Sequence, residues 1–384
     1  MPWKECSPMD ERVKFIAAAL DGDVSMSSLC LAYGISRKTG YKWVARYEEK
    51  GPEGLKDLSN RPHHLPHRVS FGLERLLVQH RKRHPNWGPK KIISSLQLKD
   101  PKLELPAAST VGAIFQRRGL VKKQRVRPRP PQPKAPIVCA DRPNAVWGAD
   151  FKGDFKVLDG RRCYPLTISD LCSRFLLHCQ GQEQKTYQET RRGFELAFQE
   201  FGLPDAILSD NGSPFSSPSG FSQLSIWWIR LGIKIVRIQP GKPQQNGIHE
   251  RMHRTLKEAI YPTKASMRAQ QRSFDRFVQE FNFERPHEAL GQNPPASVYQ
   301  TSSRPYPKRL PPLEYPAHFE VRKVDSSGRI GFHDRAIFVS EALSGQYVGL
   351  ECIDDGLWLT HFGGAVFGRL DESREKLERN NFSL

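Results

Sequence analysis

The chain has 384 residues, too many for one ordinary domain, and its 38% hydrophobic and 10% aromatic content can build real cores. A formal net charge of +18 and a pI near 9.7 predict a polyanionic partner, most readily nucleic acid. No run approaches the roughly eighteen apolar residues of a membrane span, and the start Met1-Pro2-Trp3-Lys4 has no apolar signal core. The seven cysteines are odd in number and never spaced C-x-x-C. They predict reduced, mostly buried thiols, no Cys/His zinc site and a cytoplasmic setting.

In chain order, residues 10–20 read as an amphipathic helix capped by Asp10. Ser25–Tyr33 gives a second short helix, Gly34 breaks it, and Ser36 caps a third from Arg37 to Glu49. Helix, glycine turn, helix is a helix-turn-helix pattern, expected over residues 1–60. Arg37, Lys38, Thr39, Tyr41 and Lys42 then fall where such a motif reaches base edges, with Trp43 and Tyr47 packing inward. A second helical DNA-binding unit is expected at 65–123. Its helices are Val69–His84, with Leu73, Leu76 and Leu77 on one side, Lys90–Leu98, and one capped by Ser109 or Thr110 and ending at Arg118. Lys90 and Lys91 are its candidate DNA contacts. Between Arg61 and Arg129 there are 17 Lys or Arg against three acids, so the positive charge is concentrated rather than spread. Residues 124–138 form a basic, Pro-rich linker.

Composition changes after Pro143. Ala145–Leu158 alternates like a strand, Asp159-Gly160 signals a hairpin, and Arg162–Ile168 and Phe175–Cys179 follow as strands. Residues 185–201 form a helix with Thr190, Phe194, Ala197, Phe198 and Phe201 inward. Then come strand Asp205–Ser209, helix Phe221–Leu231, strand Ile233–Ile238, a helix from near Pro240 through Ile260, and a helix at 265–285 built on Phe274, Phe277, Val278, Phe281 and Phe283. The fold class is therefore multidomain: helical N-terminal units, then an α/β core at 139–300 with a mixed five-stranded sheet. Short apolar runs in 317–372 predict a small SH3-like β-barrel.

Three acids stand out by placement. Asp150 lies on the first strand, Asp210 where the fourth ends, and Glu250 on the helix after the fifth. Helical spacing puts Asn246, Glu250, His253 and Lys257 on one stripe, with Met252 and Leu256 elsewhere. Carboxylates gathered at a sheet end repel unless a divalent cation joins them, and hard oxygen donors suit Mg²⁺ or Mn²⁺. Two such ions would serve phosphoryl transfer. Taken singly, each acid also reads as an ordinary strand, turn or helix-face charge. Asp154 and Asp170 are rivals, although Asp170, before a turn and near Arg174, reads better as fixing that hairpin.

Five segments together resemble the DDE transposase/integrase catalytic domain, most closely the bacterial IS481-type group related to the IS3-type. They are Trp147-Gly148-Ala149-Asp150-Phe151-Lys152; Asp170-Leu171-Cys172-Ser173-Arg174-Phe175; Leu208-Ser209-Asp210-Asn211-Gly212-Ser213-Pro214-Phe215; Pro240 through Lys257; and Arg285-Pro286-His287-Glu288-Ala289-Leu290 with Pro294 to Tyr299. The resemblance covers roughly 140–300 and implies an RNase H-like core. It implies Asp150, Asp210 and Glu250 as the catalytic, metal-binding triad, with two Mg²⁺ or Mn²⁺ ions. Asn246 and Lys257 would lie against DNA. The implied activity is a transposase that binds terminal inverted repeats, cleaves 3′ ends and joins them to target DNA, acting as a homo-oligomer on the bacterial nucleoid. One departure is the 39 residues between Asp210 and Glu250, against about 35 in the family; Ser216–Gly220 can hold the excess as a loop. A DNA-binding regulator with an idle core, or an RNase H-like nuclease on hybrids, are the rival functions.

Overall fold

The computed structural model describes residues 7–58, 69–121, 139–217, 221–239, 242–373 and 376–378. The expected 124–138 linker lies outside them, as does part of the expected 216–220 loop. The chain divides into two compact units, Met1–Ser70 and Phe71–Leu384.

The first unit holds helices α1 (Pro8–Asp21), α2 (Met26–Ala32) and α3 (Arg37–Lys50). Ser7, not Asp10, caps α1. The Ser7 hydroxyl accepts from the Asp10 N–H while the Asp10 carboxylate accepts from the Ser7 N–H, a reciprocal capping box. Ser25 and Ser36 cap the next two helices. The core is Phe15, Ile16, Leu29, Cys30, Trp43 and Leu55. Gly40 sets how closely α3 approaches it: a Cβ there would lie 2.5 Å from Cys30 Sγ and 3.1 Å from Phe15 Cζ.

The second unit begins with α4 (Phe71–Arg83), α5 (Pro89–Lys99) and α6 (Ala108–Arg117). Leu77, Trp87, Ile92, Val111, Ile114 and Phe115 are buried among them, whereas Leu76, expected inward, is exposed. Ala107 stands at the start of α6, so neither Ser109 nor Thr110 caps it.

Strands β1 (Val146–Phe151), β2 (Phe155–Lys156), β3 (Arg162–Asp170), β4 (Leu176–Gln182), β5 (Ala206–Ser209) and β6 (Lys234–Arg237) form one mixed sheet. It has six strands rather than the expected five, because Gly153, at φ 71°, breaks the first predicted strand in two. β1 lies centrally, antiparallel to β3 and parallel to β5. Alternation along β1 sends Trp147, Ala149 and Phe151 into a core shared with α7 (Tyr187–Phe201) and α8 (Gln223–Arg230). The opposite face meets α9 (Gly247–Ile260) and α10 (Met267–Gln279). α10 runs into a π-helical turn, Glu280–Glu284. The wider turn shifts the register, so Phe281 and Asn282 point inward and Phe283, expected inside, is exposed.

The last segment contains β7 (Glu320–Lys323), β8 (Arg329–Phe332), β9 (Arg335–Phe338), β10 (Tyr347–Asp354), β11 (Leu357–Phe362), β12 (Ala365–Asp371) and β13 (Lys376–Glu378). The expected barrel does not close. Its strands make an open antiparallel sheet in the order β13-β12-β11-β10-β7, and β8–β9 is a separate hairpin. Pattern reading missed β7 and β13 because they are short, charged edge strands. The inner face packs on α8: Phe367 stacks on Phe221 at 3.9 Å, and Arg230 Nη1 donates to Gln346 Oε1 at 2.8 Å.

Candidate active site

β1 and β5 run parallel with Ala149 opposite Ser209, so the next residues, Asp150 still on β1 and Asp210 just past the end of β5, stand side by side at the carboxyl end of these strands. Asp150 accepts a 3.1 Å hydrogen bond from Asn246 Nδ2. Burial, and then the neighbouring Asp210 charge, raise its carboxyl to about 7. Asp210 begins the turn after β5 and accepts from the Gly212 N–H at 3.1 Å. Arg237 on β6 lies within its electrostatic reach. Asn211 ties the turn to the Ile238 carbonyl at 2.8 Å, and Phe215 anchors it beneath against Phe151.

α9 is fastened to the sheet under Asp150 by a buried polar network that pattern reading did not resolve. Thr167 Oγ1 donates to the Asp150 carbonyl at 2.9 Å and lies 2.7 Å from Nε2 of both His249 and His253. A hydroxyl has one proton, so both imidazoles must donate to it. His249 Nδ1 is then an acceptor, taking a 3.0 Å bond from Ser169 Oγ. Burial lowers His249 to about 3; burial, His249 and Lys152 lower His253 to about 2, so both rings are neutral. The 3.8 Å approach of His253 Nδ1 to Asp150 Oδ2 is therefore a polar contact, not an ion pair. Gly148 makes room for this network, since a Cβ there would lie 3.1 Å from His249 Nδ1 and 2.8 Å from Leu171 Cδ2.

Asp150, Asp210 and Asn246 are thus brought together. Glu250 is exposed in the first turn of α9, one turn beyond Asn246, and Lys257 is exposed two turns further. His253 does not share that open stripe; it is buried with His249, Met252 and Leu256. Among the described residues, no three His, Cys, Asp or Glu side chains are gathered closely enough to hold a metal ion. Asp170 is buried and accepts from the Asn144 N–H at 2.8 Å and from Ser173, while Arg174 donates instead to the Leu171 carbonyl. Asp154 pairs with Arg162 at 2.7 Å, away from the site.

On the other candidate surfaces, Arg37, Lys38, Tyr41 and Lys42 are exposed on α3. Thr39 is half-buried, with its hydroxyl 2.9 Å from Ser36 Oγ at the helix cap. Lys90 is exposed on α5, while Lys91 is half-buried and lines a cavity beside α9.

The integrase core domain family matches residues 140–243 and 231–295, a helix-turn-helix domain residues 11–63, and a homeodomain-like domain residues 39–115. The insertion element IS407 uncharacterized 31.7 kDa protein of Burkholderia multivorans is 26% identical over 283 residues, covering 71% of this chain and 90% of that protein. The insertion element IS476 uncharacterized 39.2 kDa protein of Xanthomonas euvesicatoria is 28% identical over 181 residues, 46% of this chain and 50% of that one. A simian T-cell lymphotropic virus intasome chain is 16% identical with a TM-score of 0.38, covering 76% of this chain and 97% of its own. A mixed sheet flanked by helices, with helix-turn-helix segments before it, defines an RNase H-like integrase core with DNA-binding domains. Residues 140–295 form an integrase core domain, and this match together with the insertion-element relatives supports a DDE transposase/integrase with polynucleotidyl transferase chemistry. The integrase core implies use of a divalent metal. Among the described residues, no helix is long and apolar enough to cross a membrane.

Proposed function

We propose that this chain is a DNA transposase of the IS481-type group whose catalytic, metal-binding residues are Asp150, Asp210 and Glu250. The observation that carries the reading is the Asp150–Asp210 pair at the sheet's carboxyl end, with Asp150 held near 7 by burial and its neighbour. Two carboxylates costly to ionise together fit a divalent cation, and Glu250 stands one helical turn from the amide that touches Asp150. Mg²⁺ or Mn²⁺ held there supplies Lewis-acid activation of the attacking oxygen and stabilises charge on the phosphorus and the leaving oxygen.

The protein's own residues supply position. The Thr167–His249–His253 network holds α9 on the sheet and orients Asp150. Arg37, Lys38, Tyr41 and Lys42 on α3, with Thr39 at its cap, and Lys90 on α5 bind the element's terminal inverted repeats. Lys257 takes a phosphate beside the site. Asn246 acts through Asp150, supporting the DNA-facing end of α9. In the first step water attacks the phosphorus at the element's end and the P–O3′ bond breaks, freeing a 3′-hydroxyl. That oxygen then attacks a target phosphorus, forming a new diester and releasing the target's own 3′-hydroxyl. A homo-oligomer on DNA, working on the bacterial nucleoid in the cytoplasm, would bring both element ends together. The units expected at 1–60, 65–123, 139–300 and 317–372, with the 124–138 linker, would divide these tasks.

The test is strand transfer by purified protein on terminal-repeat DNA with Mg²⁺. Asp150→Asn, Asp210→Asn and Glu250→Gln should each lower the rate at least ~10³-fold with DNA affinity kept. A variant that keeps full activity removes its residue from the triad.

A further inference from the structure

A cavity of about 470 Å³ opens on the flank of α9 away from Asp150. Ile248, Arg251 and Thr255 line it from α9, while Asn246 faces the Asp150 carboxylate. At roughly 100° per residue, that stripe lies across the helix from Asn246 and Glu250. Lys91 of α5, Arg174 of the β3–β4 turn and Arg285 complete a wall of four cations. Glu288 is the lining carboxylate; Glu258 and Glu280 act electrostatically from outside the cavity, and Glu280 already meets His84 at 3.0 Å.

The cations are crowded. Lys91 is pushed down to about 8 by burial and by Arg285 and Arg251, so its neighbours disfavour its charge. Arg285 is likewise lowered by burial. His287, which also lines the cavity, is neutral and hydrogen-bonded to the Phe281 backbone, so it adds no charge to the wall. Ile248, Met252 and Phe281 give the cavity an apolar floor. Like charges gathered around an open space lack an anion.

We propose that this cavity is a phosphate-binding site that seats a phosphodiester of bound DNA on Lys91, Arg174, Arg251 and Arg285, separate from the catalytic carboxylates. Ser169 both lines the cavity and bonds His249, so one helix stands between the two surfaces. A strand held here would tie the α4–α6 helices to the catalytic core. The choice of DNA as the source of phosphate rests on the proposed function.

The experiment measures anisotropy of a short fluorescein-labelled duplex with the full chain across a range of KCl, for wild type, Lys91→Met and Arg251→Gln, each also in an Asp150→Asn background. Each substitution should reduce the slope of log K against log salt by about 1 and weaken binding about three- to tenfold at fixed salt. Lys91→Met should also raise the melting temperature of the free protein, because it removes a crowded cation; a merely structural lysine would lower it. Unchanged slopes with strand transfer intact would overturn the cavity site alone. Absent strand transfer in wild type with the slope changes intact would overturn the proposed function alone. In a parallel arm, inorganic phosphate should give no Lys91-dependent thermal shift at concentrations where the duplex does. If phosphate alone gives that shift and the duplex does not, the site takes a free anion and the DNA assignment falls.

Discussion

Asp150 concentrates the chemistry of the site in one carboxyl group. Its motif neighbours serve it: Gly148 admits His249, and Trp147 anchors the other face of the strand through Nε1 to Asn144 Oδ1 at 3.0 Å. The raised Asp150 carboxyl has a stability consequence with a definite sign. Folded, it titrates near 7 instead of its usual 3.8, so its contribution is full below about pH 4 and is lost as pH rises through 7. Metal-free Asp150→Asn should therefore be more stable than wild type at pH 8 by about 2 kcal/mol, and equal to it near pH 4. Mg²⁺ should raise the melting temperature of wild type at pH 8 and leave Asp150→Asn unmoved. Thermal melts at the two pH values check both halves, and a less stable variant at pH 8 would mean that Asp150 is held by its hydrogen bonds rather than strained by its neighbours.

At the scale of elements, α10 does more than bury phenylalanines. β4 pairs with β3 on one side only, and α10 covers its open edge with amides. Gln271 accepts from Gly181 N–H at 3.0 Å and donates to the Cys179 carbonyl at 2.9 Å. Asn282 accepts from Leu176 N–H at 2.8 Å and donates to the Leu176 carbonyl at 2.9 Å. The π-helical turn brings Asn282 into that register. Asn282→Ala would strand two buried backbone groups and should cost about 2–4 kcal/mol in urea unfolding. A loss under about 0.5 kcal/mol, with β4 amides still protected from exchange, would show that the edge does not depend on this amide.

For the molecule as a whole, the C-terminal sheet is part of the catalytic unit's core. Phe367, Phe362, Leu350 and Ile337 belong to the same buried cluster as Phe194, Trp228 and Ile207. Gly363 brings the β11–β12 turn onto α8, where a Cβ would lie 3.3 Å from Ile229 Cγ2. Phe367→Ala should therefore lower a transition shared by the catalytic core and the sheet, by about 3–5 kcal/mol. Calorimetry that resolves a separate C-terminal transition, and finds only that one affected, would reject the shared core.

Strand alternation before Asp150, serine caps, glycine breaks and the Asp210-Asn211-Gly212 turn are local signals, and they make the helix-turn-helix pattern and the α/β order legible in the chain itself. The clustering of 17 cations between Arg61 and Arg129 is legible for the same reason, since charge is a property of residues. Long-range contacts decided the rest. Whether His253 faces water or Thr167, whether Phe283 or Asn282 points inward, and whether seven short strands close or stay open depend on partners distant in sequence. The cavity on α9 belongs to this second class. Lys91, Arg174, Arg251 and Arg285 are separate basic residues in the sequence, and only packing α5 against α9 and the β3–β4 turn crowds their charges around one space.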